Sequence, residues 1–406
     1  MKTIVIGSVS AGISAAQRLG ATQDITVYER GSFYSCGCYG LPHYLAHPED
    51  SLGEAIASKE QQMRDRGIIG FRHHEVQRID ATRKELTVCD LETGRVFTDH
   101  YDQLILAIGG SYSVPRVPGA EKMGVHTLRT VDDVIFLREY IKTPYVKDIV
   151  ILGAGIGGLE IAKAFLCRGR HVRIIEKESR FLPDFDREAA DMIADSLRRE
   201  GVELNLGETV KGFTGRTYVE TVQTNKGTYA CDLCVVAEGT VPNTAILQGT
   251  GVQTDAEGWV LIDRGLATSV QGIYATGECA RLREGEPGTV SFHIGKLEAA
   301  RTGLTEEAAG KKGLHAKSVI VAGSDRPGIV PNPRSVTIKL VYESGTGRVL
   351  GAQGWGEKNV VSRMNAVAVA VAAGMTTQQL SAVDFLYSSA VYGVWDPIQM
   401  ACDAAR

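Results

Sequence analysis

Asp148-Ile149-Val150-Ile151-Leu152-Gly153-Ala154-Gly155-Ile156-Gly157-Gly158, answered by Val172-Arg173-Ile174-Ile175-Glu176, is the stretch that decides the fold. A short β-branched run enters a glycine turn, a helix pattern leaves it, and the next strand ends in an acid. Gly153 allows the tight turn, Gly155 lets a phosphate approach the backbone, and Gly158 lets helix and strand pack closely. The first N–H groups of the helix and its dipole favour a pyrophosphate. Glu176 then accepts hydrogen bonds from an adenosine ribose and repels a 2′-phosphate, which favours NADH over NADPH. Lys177 and Arg180 lie nearby as cations that could accept such a phosphate.

The same punctuation opens the chain. Lys2-Thr3-Ile4-Val5-Ile6-Gly7-Ser8-Val9-Ser10-Ala11-Gly12 is followed by Ile25-Thr26-Val27-Tyr28-Glu29. Val9 stands at the middle glycine position, so Gly7 and Gly12 carry the match, and Glu29 suits the non-phosphorylated ribose of FAD. Two dinucleotides in one chain imply that electrons pass between them. The predicted fold class is α/β, with two Rossmann-like dinucleotide-binding domains, one for FAD and one for NADH, and a C-terminal α+β domain.

Bulk properties agree with a globular enzyme. The chain has 406 residues, enough for two or three domains. A net charge of −4 and the lack of a basic run argue against a nucleic-acid partner. No stretch approaches the length of a membrane span, and the first strand starts too early for a leader peptide, so the expected compartment is the cytoplasm. Eight cysteines in a reducing compartment are expected to be mostly thiols, with any pair that matters catalytic.

Composition places the boundaries. Residues 1–112 end in the buried run 101–110, and the proline-marked segment Val114-Pro115-Arg116-Val117-Pro118-Gly119 reads as a crossing strand. A second βαβ unit fills 113–242. Residues 243–314 return to the first domain, through the strand Gly272–Glu278 and a helix carrying Lys296, Ala299, Ala300 and Leu304. From 315 to 406 the texture becomes α+β, with an alternating strand at Val336–Tyr342 and an alanine-rich helix over 359–373. No metal-binding constellation is found: Cys231 and Cys234 form a Cys-x-x-Cys, yet they read as a strand entry without a second ligand pair.

Beyond these turns, Ser32-Phe33-Tyr34-Ser35-Cys36-Gly37, Ala275-Thr276-Gly277-Glu278-Cys279-Ala280, Asp384-Phe385-Leu386-Tyr387 and Trp395-Asp396-Pro397 stand out. With them the chain resembles, over essentially its whole length, the FAD-dependent pyridine nucleotide–disulfide oxidoreductases. It is most similar to the branch holding coenzyme A-disulfide reductase, NADH oxidase, NADH peroxidase and persulfide reductases. The resemblance implies a homodimer whose active site is completed by the partner's C-terminal domain, including Tyr387. It implies that FAD is held by Gly7, Val9, Ser10, Ala11, Gly12, Glu29, Arg30, Val76, Gly109, Gly277 and Glu278. NADH falls to Gly153, Gly155, Ile156, Gly158, Glu160 and Glu176.

In this chemistry nicotinamide supplies a hydride, flavin accepts it, and a low-pKa cysteine beside the flavin receives the electron pair. The Ser-Phe-x-x-Cys match favours Cys36 as that sulfur; Cys38 is either a resolving thiol or a bystander. Departures narrow the function. Oxidases and peroxidases of this family carry a histidine where this chain has Ser10, and serine supplies no imidazole proton near neutral pH. Ile156 replaces a tyrosine that lids the nicotinamide pocket in many relatives, and the family's second C-terminal aromatic position holds Val391, with Tyr392 one residue along and facing the opposite way on a strand, which argues against a coenzyme A-type pocket. His293 and His43 are the histidines that could substitute. The leading expectation is therefore NADH-dependent reduction of a small disulfide, persulfide or polysulfide. The alternatives are an NADH oxidase that reduces oxygen and an electron-transfer flavoprotein serving a protein partner.

Overall fold

The computed structural model describes residues 1–7, 9–19, 24–34, 40–283, 288–388 and 393–405. The chain divides into two compact units, one formed by 1–147, 215–219 and 232–285, the other by 148–214, 220–231 and 286–406.

The first unit is built on a five-stranded parallel sheet in the order Ile273–Ala275, Gln103–Ala107, Thr3–Gly7, Ile25–Tyr28, Ile69–Phe71. Strand periodicity splits its side chains between two layers. Ile4, Ile6, Leu104 and Leu106 face Val76, Leu86 and Val88 of an antiparallel three-stranded sheet. Val5, Val27, Ile105 and Ala107 pack with Ile13 and Ala16 of the helix Val9–Arg18. Both faces are thus buried, which is why these strands read as continuous apolar runs.

The crossing strand falls earlier than 114–119. Gly110–Tyr112 pairs antiparallel with Thr240–Pro242, while the segment with Pro115 and Pro118 forms no strand. Two prolines within four residues, Pro115 and Pro118, remove N–H groups that a ladder needs, whereas Pro242 stands alone at the end of its strand.

The second unit opens with three parallel strands, Asp148–Leu152, His171–Glu176 and Val202–Leu206, with the helix Ile156–Cys167 between the first two. Its other half is a five-stranded antiparallel sheet ordered Val290–Ile294, Leu297–Gly303, Val349–Gly356, Ser335–Glu343, Ala316–Ser324. The helix Val360–Ala372 covers this sheet through Val360, Met364 and Val367.

One expected element is of the other type. The helix predicted around Lys296, Ala299, Ala300 and Leu304 is instead the strand Leu297–Gly303, paired on both edges. Its small residues explain the reversal: Ala299, Ala300 and Gly303 are fully or nearly buried and admit a close-packed helix, so tertiary packing overrides alanine's helix preference. The strand Ser335–Glu343, whose alternation over 336–342 reads as an exposed strand, is an interior and largely buried strand of its sheet.

Candidate functional site

In the first unit the turn after Thr3–Gly7 fixes its own glycines. Gly7 has φ +90, and a Cβ there would lie 2.4 Å from the Ala107 carbonyl oxygen. At Gly12 a Cβ would meet Val5 Cγ1 at 2.2 Å, so this glycine sets how closely the helix approaches the strand. Val9, Ser10 and Ala11 occupy the first turn of that helix. Ala11 reaches the Gly277 turn, where a Cβ on Gly277 would stand 3.2 Å from Ala11 Cβ. Glu29 follows the second strand, and its Oε1 accepts the Gly31 N–H at 2.9 Å. Burial pushes the Glu29 carboxyl up, against the pull of the Gly31 N–H and Arg30. Arg30 itself is exposed.

Gly109, with φ +57, has open space where a Cβ would stand. Its carbonyl accepts the Asn243 N–H, and Asn243 Nδ2 donates to the Ile108 carbonyl. Val76 sits differently from a ligand contact made by a side chain: its isopropyl group belongs to the core between the two sheets. Cys279 is fully buried among main-chain carbonyls, and burial raises its thiol pKa, as expected of a packing residue.

The side chain that sequence reasoning missed here is Arg129. Its Nη2 donates to Glu278 Oε2 at 2.5 Å and to the Gly110 carbonyl at 2.7 Å, and its guanidinium lies 4.9 Å from the Tyr112 ring centroid. Glu278, one methylene longer than the aspartate of the family motif, is thereby held by a partly buried cation. The signal was available next door: Thr130 and Asp133 form a capping box that starts the helix Val131–Tyr140, which places Arg129 at a fixed helix entrance.

In the second unit the helix Ile156–Cys167 starts at Gly155, where a Cβ would meet nothing within 4 Å. This is the cradle that a pyrophosphate needs. Gly158 is the opposite case, since a Cβ there would lie 2.0 Å from the Gly153 carbonyl oxygen. Glu176 ends its strand with both carboxylate oxygens occupied, by the Ala154 N–H at 2.8 Å and the Glu178 N–H at 2.9 Å. Ile156 is half-buried at the helix start. Glu160, one turn on, accepts the His293 N–H at 3.2 Å.

Arg180 does not wait for a phosphate. Its Nη1 donates to Glu307 and its Nη2 to the Phe185 carbonyl, each at 2.5 Å. Lys311 and then Arg180 hold the Glu307 carboxyl down to about 2. Lys177 is left as the exposed cation beside Glu176.

Tyr387 lies in the second unit and is 60% exposed. Asp396, from the Trp-Asp-Pro motif, is fully buried; it caps the helix Pro397–Ala404 and pairs with buried Arg363 at 2.8 Å. His43 pairs with Asp50, and His293 has an exposed side chain. Cys36, Cys38, Val391 and Tyr392 lie outside the described residues.

Residues 1–303 match the family model described as pyridine nucleotide-disulphide oxidoreductase, and residues 289–389 match its dimerisation domain. The chain belongs to the pyridine nucleotide-disulphide oxidoreductases. A curated relative, the "NAD(P)H sulfur oxidoreductase (CoA-dependent)" of Pyrococcus furiosus, is 29% identical, with 98% of this chain and 97% of the relative covered. Among solved structures, reduced CoADR-RHD of Bacillus anthracis aligns with TM-score 0.92 at 25% identity, covering all of this chain and 80% of that one. The water-forming NADH oxidase of Lactobacillus brevis, solved with NADH, aligns with TM-score 0.90 at 28% identity, covering 100% and 98%. As a member of this family the chain is an FAD-dependent NAD(P)H oxidoreductase, with a C-terminal dimerisation domain. No helix among the described residues is long and apolar enough to cross a membrane.

Proposed function

We propose that this enzyme oxidises NADH and reduces a small disulfide, persulfide or polysulfide at Cys36. The observation that carries the reading is the conjunction of two dinucleotide turns with a Ser-Phe-x-x-Cys-Gly segment in one chain. When bound, FAD supplies two-electron exchange between nicotinamide and sulfur. The chain's own groups do the rest. Gly7, Gly12 and Glu29 form the FAD adenosine end, with Gly109, Gly277 and the Arg129–Glu278 pair further along the same unit. Gly155 and Glu176 form the corresponding NADH end.

At the reacting sulfur, a Cys36 thiolate attacks one sulfur of the substrate. A new S–S bond forms, and the other sulfur leaves as a thiolate that takes a proton. Two electrons from NADH then regenerate the Cys36 thiolate and release the second thiol. The helix Leu41–Ala46, with Pro42 in its first turn, begins shortly after this segment, and a helix start favours a thiolate. Cys38 is the candidate resolving thiol. Similarity to a CoA-dependent sulfur oxidoreductase favours a coenzyme A-type thiol as partner, and Ser10 favours reduction of sulfur over peroxide.

Oxygen as acceptor is the second reading, favoured by the likeness to a water-forming NADH oxidase and by Ile156 in place of a lid tyrosine. An enzyme fed by NADH works where that cofactor is found, so we place it in the cytoplasm as a homodimer, with Tyr387 facing the partner's site. Mass spectrometry of purified protein, intact and after digestion, tests the assignment. A thiol adduct on the peptide carrying Cys36, lost on treatment with NADH, supports it. NADH consumption that is fast with oxygen and indifferent to every disulfide overturns it in favour of the oxidase.

A further inference from the structure

We infer that Arg180, Glu307, Asp186 and Lys339 are positioning residues for the adenosine ribose of NADH, acting through the loop 177–186. The inference rests on Glu176 being the ribose acid. The Ala154 N–H fixes one oxygen of that carboxylate and the Glu178 N–H the other, so its second anchor moves with the loop. The loop has no regular secondary structure of its own, and Leu182 sits at φ +44, in a region that branched side chains avoid. Such a conformation persists only when its surroundings hold it.

The surroundings are specific. Phe181, Leu182 and Phe185 are buried. The Arg180 fork closes the loop on itself at the Phe185 carbonyl and fastens it to Glu307, on the helix Glu306–Lys311. At the far end Asp186, 4% exposed, accepts N–H groups from Glu306 and Glu307 at that helix's start. Asp186 also takes Lys339 Nζ at 2.9 Å and the Gln353 side-chain amide. Lys339 is 1% exposed, and Glu188 and Glu306 complete its ring of carboxylates. A ten-residue loop without these anchors would have to order itself each time NADH binds, and that ordering would be lost from affinity.

The test is calorimetric binding of ADP-ribose, which carries the adenosine end and no redox chemistry, to the FAD-loaded enzyme. Arg180→Met is expected to weaken ADP-ribose about fivefold and Glu307→Gln about threefold, the scale set by a half-exposed ion pair. KM for NADH should rise in step, while kcat at saturation stays within about twofold and FAD content is unchanged. Arg180→Lys should recover part of the loss, since an ammonium reaches one acceptor where the fork reaches two. Unchanged affinity in both variants, with Glu176→Gln weakening it, would overturn the positioning role and leave the ribose acid standing. Intact binding in Glu176→Gln would remove both. If Arg180→Met does not fold, Glu307→Gln still decides, because its side chain is 42% exposed.

Discussion

Gly158→Ala puts a single methyl group where the structure has no room for it. An ideal Cβ would stand 2.0 Å from the Gly153 carbonyl oxygen, and real Cβ atoms stay beyond 3.0 Å. The start of the helix Ile156–Cys167 must therefore retreat by about 1 Å from the strand end. Overpacking of this kind costs about 2 kcal/mol, which corresponds to about 5 °C in Tm if the second unit, of about 200 residues, unfolds on its own. The functional loss is larger. A phosphate seat displaced by about 1 Å costs on the order of 100-fold in binding or rate. Gly155→Ala is the matched control. Its φ of −70 suits alanine and its Cβ would meet nothing within 4 Å, so stability should change by less than about 1 kcal/mol. Yet that methyl fills the space a pyrophosphate needs, so ADP-ribose affinity should fall here too. Differential scanning fluorimetry and ADP-ribose calorimetry read the two effects apart. Wild-type affinity in both variants would refute the assignment of this helix start as the NADH phosphate seat.

Replacing Lys339 with Met leaves three carboxylates facing an uncharged side chain, and the loss is expected to be about 3 kcal/mol. Asp186 is held below its ordinary pKa: burial opposes this, but Lys339, the Glu306 N–H and Gln353 outweigh it. A depressed carboxylate stabilises the fold above its unfolded value of about 4 and loses that contribution as pH falls through the folded value. The Tm gap between wild type and Lys339→Met should therefore narrow between neutral pH and about pH 3, and a constant gap would refute the pairing. Arg129→Met should lower FAD retention on a desalting column by about tenfold, since Glu278 would lose its cation; unchanged retention would make Arg129 a bystander. With a bulky thiol reagent on the folded enzyme, exposed Cys167 should react. Cys402, whose thiol burial pushes up to about 12, and buried Cys279 should not, as peptide mapping would show.

Much of this was legible because the turns are local. Gly153, Gly155, Gly158 and Glu176 lie within one βαβ segment, and each glycine answers a steric demand made by its neighbours in that segment. The apolar runs at 3–7 and 103–107 were readable for the same reason, since both faces of their sheet are buried. What escaped notice depends on partners far away in sequence. Lys339 sits between Ile338 and Leu340 in an alternating strand, and nothing local says that Asp186, Glu188 and Glu306 converge on it. Arg180 reads as a phosphate cation until Glu307 is seen to occupy it. The segment 297–303 reads as a helix on alanine content, and only its two strand neighbours make it a strand.

The central claim is a relay from NADH to a sulfur at position 36, and an anaerobic titration of the isolated enzyme with NADH tests it most directly. Wild type is predicted to consume an additional equivalent of NADH before its visible flavin band bleaches, because an oxidised Cys36 takes the first electron pair. Cys36→Ser should bleach without that lag. Identical titrations for the two proteins would contradict the account.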